Sequence, residues 1–166
     1  MSHQSTIKTE KDLASLAQVR IRPATPSDYV RISQVICRCL SEVNIRDYGE
    51  EHIAKMLPTF ASSNLAAWFE GAEAFVAVSN DEIVATGTLR GHEIQTVFVD
   101  PSKHGTGYGK LLMRHLEDLA KNRGATEVSL RSSITSQMFY ESIGYHPQAD
   151  TYGAVGGQMI LMRKTL

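Results

Sequence analysis

The chain has 166 residues, 42% apolar and 21% charged, with a formal net charge of -1. That is enough apolar material for one domain with one core, and too much for a disordered chain. The near-neutral balance excludes a general attraction to nucleic acid or anionic membranes. No apolar run approaches the ~20 residues of a membrane span, and Met1 to Val19 lacks the apolar centre of a secretory signal, so a soluble, cytoplasmic protein is expected.

Residues 1–18 read as a flexible extension, with a short helix over Lys11–Ala17, and residues 19–166 as the folded domain. Val19-Arg20-Ile21-Arg22 alternates as a first strand and Pro23 ends it. Thr25-Pro26-Ser27-Asp28 opens a helix: Thr25 caps, Pro26 suits the first helical position, and Asp28 reaches back. The helix carries the apolar stripe Tyr29, Ile32, Ile36 and Leu40. A second helix covers Glu50–Met56 and stops at Pro58. Asn64–Phe69 fits neither period. The two cysteines, Cys37 and Cys39, point about 200° apart on a helix, so they read as reduced side chains sharing neither a metal nor a disulfide. No histidine clusters with them, and no metal site is expected.

Three strands follow as an antiparallel meander. They are Ala74–Val78, Ile83–Arg90 and Glu93–Val99, joined by turns at Asn80-Asp81 and Gly91-His92 and ended by Asp100-Pro101. The glycine-rich loop His104–Gly109 leads into a helix with the stripe Leu112, Leu116, Leu119 and Ala120. Lys121 and Arg123 suit its last turn, and Gly124 the position past it. Glu127–Arg131 is a strand, Ser136–Ile143 a short helix closed by Gly144, and Tyr145–Tyr152 with Met159–Arg163 a closing strand pair. The strand–loop–helix–strand unit from Glu93 to Arg131 requires one parallel crossover inside an otherwise antiparallel sheet. An α/β domain results, with a mixed, mostly antiparallel sheet and flanking helices.

The loop Gly105-Thr106-Gly107-Tyr108-Gly109-Lys110 lets the backbone turn its amides inward at the start of a helix, where they have no intrahelical partner. Such a place binds phosphate without arginine. It is not a Walker loop: His104 stands where the first glycine belongs, and Leu111 follows Gly109-Lys110 where Ser or Thr belongs. Nor is it a Rossmann fingerprint, because the third glycine position falls on Lys110 or Leu112. A nucleotide-binding module is therefore disfavoured.

Val99-Asp100-Pro101, then His104-Gly105-Thr106-Gly107-Tyr108-Gly109, then Lys110-Leu111-Leu112 resembles the acetyl-CoA loop of the GNAT superfamily of N-acetyltransferases, with His104 in the usual Arg/Gln place. Ser136-Gln137-Met138-Phe139-Tyr140-Glu141-Ser142-Ile143-Gly144-Tyr145 is similar to a second motif of that family, Ala-x-x-Phe-Tyr-x-x-x-Gly-Phe. Val19-Arg20-Ile21-Arg22-Pro23-Ala24 resembles its first strand. The resemblance covers about Val19 to the end.

It implies a central strand pair that splays between the strands ending at Val99 and Arg131. It also implies acetyl-CoA as acyl donor, held by Val97, Phe98, Val99, His104, Gly105, Thr106, Gly107, Tyr108, Gly109, Lys110 and Phe139. Family members carry an Asn near the place of Ser132. Transfer to a primary amine is implied, with Glu93, eleven residues before His104, as base and Tyr140 as acid at the thiol. Glu93 also fits a plain surface carboxylate, His92 is a weaker rival, and Tyr140 also fits a packed aromatic. An acceptor pocket is expected to be built from the Tyr29–Phe69 region and the Tyr152–Gly157 loop. That region carries Glu42, Asp47, Glu50, Glu51 and Trp68; its acidic groups would suit a cationic amine, although most charges on helices are merely solvated. Dimers are common in the family. An acyl-CoA-binding sensor without transferase activity is the alternative.

Overall fold

Strand β1 (Arg20–Pro23) lies at one edge of the sheet, paired antiparallel to β2 with Pro23 opposite Phe75. An edge is where a residue lacking an amide proton fits a strand. The computed structural model describes residue 10, residues 18–154 and residues 156–166. The expected helix at Lys11–Ala17 lies outside the described residues.

Thr25–Asp28 does form a helix start. The Asp28 carboxylate accepts the Thr25 amide at 2.8 Å and is held by Arg22 through two bonds of 2.7 and 2.9 Å. Helix α1 (Tyr29–Cys39) buries Ile32, Val35 and Ile36. It runs on through a π-helical stretch, Leu40–Asn44, into α2 (Ile45–Met56), which breaks at Gly49 with φ 76° and ψ 164°. Only glycine reaches that conformation cheaply. The expected helix Glu50–Met56 is the part beyond this break, and the turn before it went unread. The ambiguous Asn64–Phe69 segment contains a single helical turn, α3 (Leu65–Trp68).

The sheet has seven strands in the order β1-β2-β3-β4-β5-β7-β6. Strands β2 (Glu73–Ser79), β3 (Glu82–Arg90) and β4 (Glu93–Val99) form the expected meander. Helix α4 (Tyr108–Asn122) crosses over to β5 (Glu127–Ser132), which is parallel to β4, the single parallel pairing among the described residues. Helix α5 (Gln137–Ser142) precedes β6 (His146–Tyr152) and β7 (Gln158–Thr165); β7 fills the place between β5 and β6.

Two cores lie on opposite faces of the sheet. One gathers α4 and α5 residues, including Leu112, Met113, Leu116 and Tyr140, against Ala85, Leu89 and Leu130. The other gathers α1, α2 and α3 against Val76, Val78 and Ile83. Met113 is fully buried, whereas Leu119 of the expected α4 stripe is only partly so. Gly87 permits the close approach of α4: an added Cβ would stand 3.0 Å from Leu116 Cδ1 and 3.2 Å from Leu112 Cδ2.

Candidate functional site

Strands β4 and β5 are paired only at Glu93–Ser129 and Ile94–Leu130. Beyond that point they diverge. The facing edges of β4 from Gln95 and of β5 from Arg131 have no strand between them. The cause lies in β4. Register with β3 shifts between Thr88–Gln95 and Thr86–Phe98, so Thr96 and Val97 together oppose the lone Gly87. Such a bulge bends its strand and increases its twist. Thr96 sits at φ 53°, a left-handed conformation rare for a β-branched residue. Its Oγ1 accepts the Trp68 indole N–H at 3.1 Å. The result is a V-shaped opening whose walls carry backbone groups in need of partners.

The loop that follows β4 is anchored by Asp100, which is 1% exposed. Its carboxylate accepts the Ser102 amide and hydroxyl at 3.0 and 2.7 Å, Arg31 at 2.7 Å and Arg38 at 2.8 Å. Burial pushes its pKa up, but the Ser102 bonds and the two guanidiniums outweigh burial and hold it below the usual range. His104 turns back, its Nε2 2.8 Å from the Val99 carbonyl. The exposed ring of His104 is thus tied to the end of the strand.

Gly105 (φ 77°) and Gly107 (φ 97°) adopt left-handed conformations, and the Thr106 hydroxyl donates to the Lys103 carbonyl. The first bond of α4 runs from the Leu111 amide to the Gly107 carbonyl. Among the described residues the Gly109 and Lys110 amides therefore have no backbone acceptor. The Tyr108 side chain is buried, its hydroxyl 3.1 Å from Ser79 Oγ, so only its backbone faces the loop. A Cβ on Gly109 would stand 3.2 Å from Phe139 Cζ and 3.4 Å from Val99 Cγ2. The structure thus joins the two sequence motifs across one glycine. A cavity of about 360 Å³ adjoins the loop, lined by Gly107, Lys110, Leu111, Arg114, Glu117 and Lys164 among others.

Val97 and Val99 pack into the α4-side core, and Phe98 into the opposite one, edge-on to Phe60 at 6.1 Å. Their side chains hold the strand, and their backbone alone can face a ligand. Tyr140 is 7% exposed, between Phe139 and Tyr145. Burial pushes its hydroxyl pKa above the usual range. Among the described residues that hydroxyl has no hydrogen-bond partner. Glu93 lies at the closed end of the V, in an ion pair with Arg131 at 3.0 Å. Six strand steps of about 3.3 Å separate it from Val99, so it is not brought to the loop.

The far wall belongs to α2 and was illegible in sequence beyond its general region. Asp47 accepts the Thr135 amide at 2.8 Å and its hydroxyl, tying α2 to the loop after β5. The Tyr48 hydroxyl donates to the Gln158 carbonyl at 2.9 Å. His52 Nε2 is buried without a partner, and a Cβ on Gly157 would stand 2.8 Å from it. Gly157 was the one available signal, since only glycine fits beneath that ring. Of the acidic residues in the region expected to build an acceptor pocket, Glu42 and Glu51 are exposed in ion pairs with Arg38 and Lys55, and Glu50 is exposed. They are solvated charges on helices. His146 is exposed at the start of β6. Among the described residues no group of three or more His, Cys, Asp or Glu could hold a metal ion, and no helix is long and apolar enough to cross a membrane.

Residues 44–166 match the family described as Acetyltransferase (GNAT) domain. Over 59 residues the chain is 42% identical to a glucosamine 6-phosphate N-acetyltransferase of Trypanosoma brucei brucei, a match covering 36% of this chain and 40% of that enzyme. It is 29% identical over 84 residues to an uncharacterised acetyltransferase of Streptococcus pyogenes, covering 48% and 55% of the two chains. The chain thus spans about half or less of the length of these curated relatives. Among solved structures, a GCN5-related N-acetyltransferase from Rhodopseudomonas palustris superposes with a TM-score of 0.83 at 23% identity, covering 89% of this chain and 95% of that one. The PaiA N-acetyltransferase of Thermoplasma acidophilum, solved with coenzyme A, superposes at 0.75 with 17% identity, covering 89% and 99%. Both have the same fold.

Proposed function

The chain belongs to the GNAT acetyltransferase family, and on that premise we propose that it is an N-acetyltransferase that takes the acetyl group of acetyl-CoA and passes it to a primary amine by direct attack. The observation that carries this is the V between β4 and β5, open toward a glycine loop where, among the described residues, the Gly109 and Lys110 amides have no backbone acceptor. A diphosphate is held by those amides and the positive end of the helix. The amide groups of a pantetheine arm fill the unpaired β4 edge as an added strand would. Gly109, pressed on Phe139 and Val99, keeps the loop low enough for this approach. Lys110 and Arg114, beside the loop cavity, supply cations for the remaining phosphate charge.

The thioester then lies near the bulge, midway along β4. An amine with a lysine-like pKa near 10.4 is protonated at pH 7, and freeing its lone pair costs about 4–5 kcal/mol. Glu93 is the proposed base. It lies about three strand steps, ~10 Å, from the bulge, so it acts through water rather than by contact. The free amine attacks the thioester carbon, and the carbonyl oxygen takes the negative charge. A backbone N–H on the open edge of β4 stabilises that oxyanion. Collapse breaks the C–S bond, and the attacking nitrogen gives up its extra proton to water. The departing thiolate, held by a hydrogen bond from Tyr140, which burial keeps protonated, takes a proton from solvent.

The trypanosomal relative's name makes an amino sugar phosphate the first acceptor to try. The test is release of free thiol from acetyl-CoA with a panel of amines. Release that depends on the amine supports a transferase. Stabilisation by acetyl-CoA without any amine-dependent release converts the chain to an acyl-CoA-binding module. Stabilisation by ATP or NAD and none by acetyl-CoA overturns the reading entirely.

A further inference from the structure

The bulge that opens the V is not self-supporting. Its first residue is the left-handed position that glycine favours in such a bulge, and the chain puts Thr96 there, at φ 53°. A β-branched side chain in that region persists only when its surroundings hold it. The holding contact is visible. The Trp68 indole N–H reaches Thr96 Oγ1 at 3.1 Å, from a one-turn helix on the face opposite α4.

Trp68 is itself fixed from two sides. Its ring meets Phe60 edge-on at 5.0 Å, and Phe60 in turn meets Phe98, two residues past Thr96. Its carbonyl accepts Arg90 Nη2 at 3.4 Å, from the end of β3. The same guanidinium lies across Gly71, where a Cβ would stand 2.8 Å from Nη1, so the turn after α3 is shaped around it. The indole is partly exposed and packs at the margin of the core on that face. Behind the bulge, Gly87 gives β4 no side chain to lean on.

We infer that Trp68 is a positioning residue for acyl transfer: its indole N–H locks Thr96 in the left-handed bulge, and so fixes the direction in which the open edge of β4 presents its backbone groups at the thioester. The inference rests on the acetyltransferase reading. It differs from that reading in acting through Thr96, without touching either substrate. The lock serves the geometry of the transition state more than the affinity for acetyl-CoA, because the diphosphate end is held separately by the loop that Asp100 anchors.

The test uses the full chain: Trp68→Phe removes the donor, the near-isosteric Thr96→Val removes the acceptor, and Thr96→Gly removes the need for a lock. Trp68→Phe and Thr96→Val are each expected to lower kcat about tenfold, as small misplacements of reacting groups do, with KM for acetyl-CoA within about twofold. The double variant Trp68→Phe/Thr96→Val should lose no more than either alone. In the Thr96→Gly background, Trp68→Phe should have no further effect on kcat. Hydrogen exchange of the 93–99 peptide should quicken in Trp68→Phe and not in Trp68→Phe/Thr96→Gly relative to Thr96→Gly. Equal losses from Trp68→Phe in both backgrounds, or a parallel rise in KM with kcat unchanged, would overturn the lock. A wild-type protein that transfers to no amine sinks the acetyltransferase reading instead, and the exchange comparison then judges the lock by itself.

Discussion

The thiol of Cys39 donates a hydrogen bond to the carbonyl of Val99 at 2.9 Å, joining α1 to the last residue of β4. Burial is the main cause that pushes this thiol's pKa up, to about 12, and the nearby Asp100 carboxylate adds to it. Reactivity follows the thiolate. One thiol equivalent, Cys37, is therefore expected to react with a disulfide reagent at pH 8 in the native state, and the second only on unfolding. Two equivalents reacting at one rate in native protein would contradict the Cys39–Val99 bond. Cys39→Ala should cost about 1 kcal/mol, the worth of a partly buried hydrogen bond.

Asp28 makes stability depend on acid. The Arg22 guanidinium hydrogen-bonded to it is the main cause that holds its carboxyl down at about 2, from 3.8. A lowered folded value means that the unfolded chain takes up the proton first. The pair's contribution is complete above about pH 4 and is lost as pH falls toward 2. With the Arg22 side chain a third exposed, about 1–2 kcal/mol is expected. Urea melts of Asp28→Asn should show reduced stability at pH 7 and a flatter decline between pH 4 and 2 than wild type.

Gly87→Ala tests the packing beneath the bulge. The new methyl meets Leu112 and Leu116, both fully buried, at 3.2 and 3.0 Å. Neither can move into free space, so overpacking should lower stability by about 1–3 kcal/mol. An unchanged denaturant midpoint would show that α4 rides more loosely on the sheet than the distances state.

Tyr140 and Glu93 separate in their signatures. Tyr140→Phe deletes a hydroxyl with no protein partner among the described residues, so its melting temperature should hardly change. Its kcat should fall at least ~10-fold if the phenol assists the thiolate. Activity equal to wild type across pH would leave Tyr140 a packed aromatic. Glu93→Gln should lower kcat at least ~10-fold with KM for acetyl-CoA little changed. It should cost under about 1 kcal/mol of stability, since the Arg131 partner is exposed. An unchanged kcat assigns the proton to another acceptor.

Much of the fold was legible because its signals are local. Alternation gave the meander, Asn80-Asp81 supplied its left-handed turn, and the stripe of α4 with Gly124 bounded that helix within a residue or two. Glycines at 105, 107 and 109 marked the loop, since positive φ and close approach exclude other residues there. The continuation of α1 through a π-helical stretch to Gly49 was not legible, because no period announces it. The bulge was hidden as well: Thr96 stands where glycine would have advertised it.

Sequence alone therefore determined most of the elements, the crossover and the glycine-rich turn, all of which depend on neighbours within a few residues. Tertiary structure decided what each candidate side chain faces. It turned Tyr108 into the core, bent His104 back to Val99, and set Glu93 beside Arg131 at the closed end of the V. It also brought Trp68 to Thr96 and Asp47 to Thr135 across 28 and 88 residues of chain. Those pairings depend on how strands twist and register across the whole sheet, and no short window of sequence carries that information.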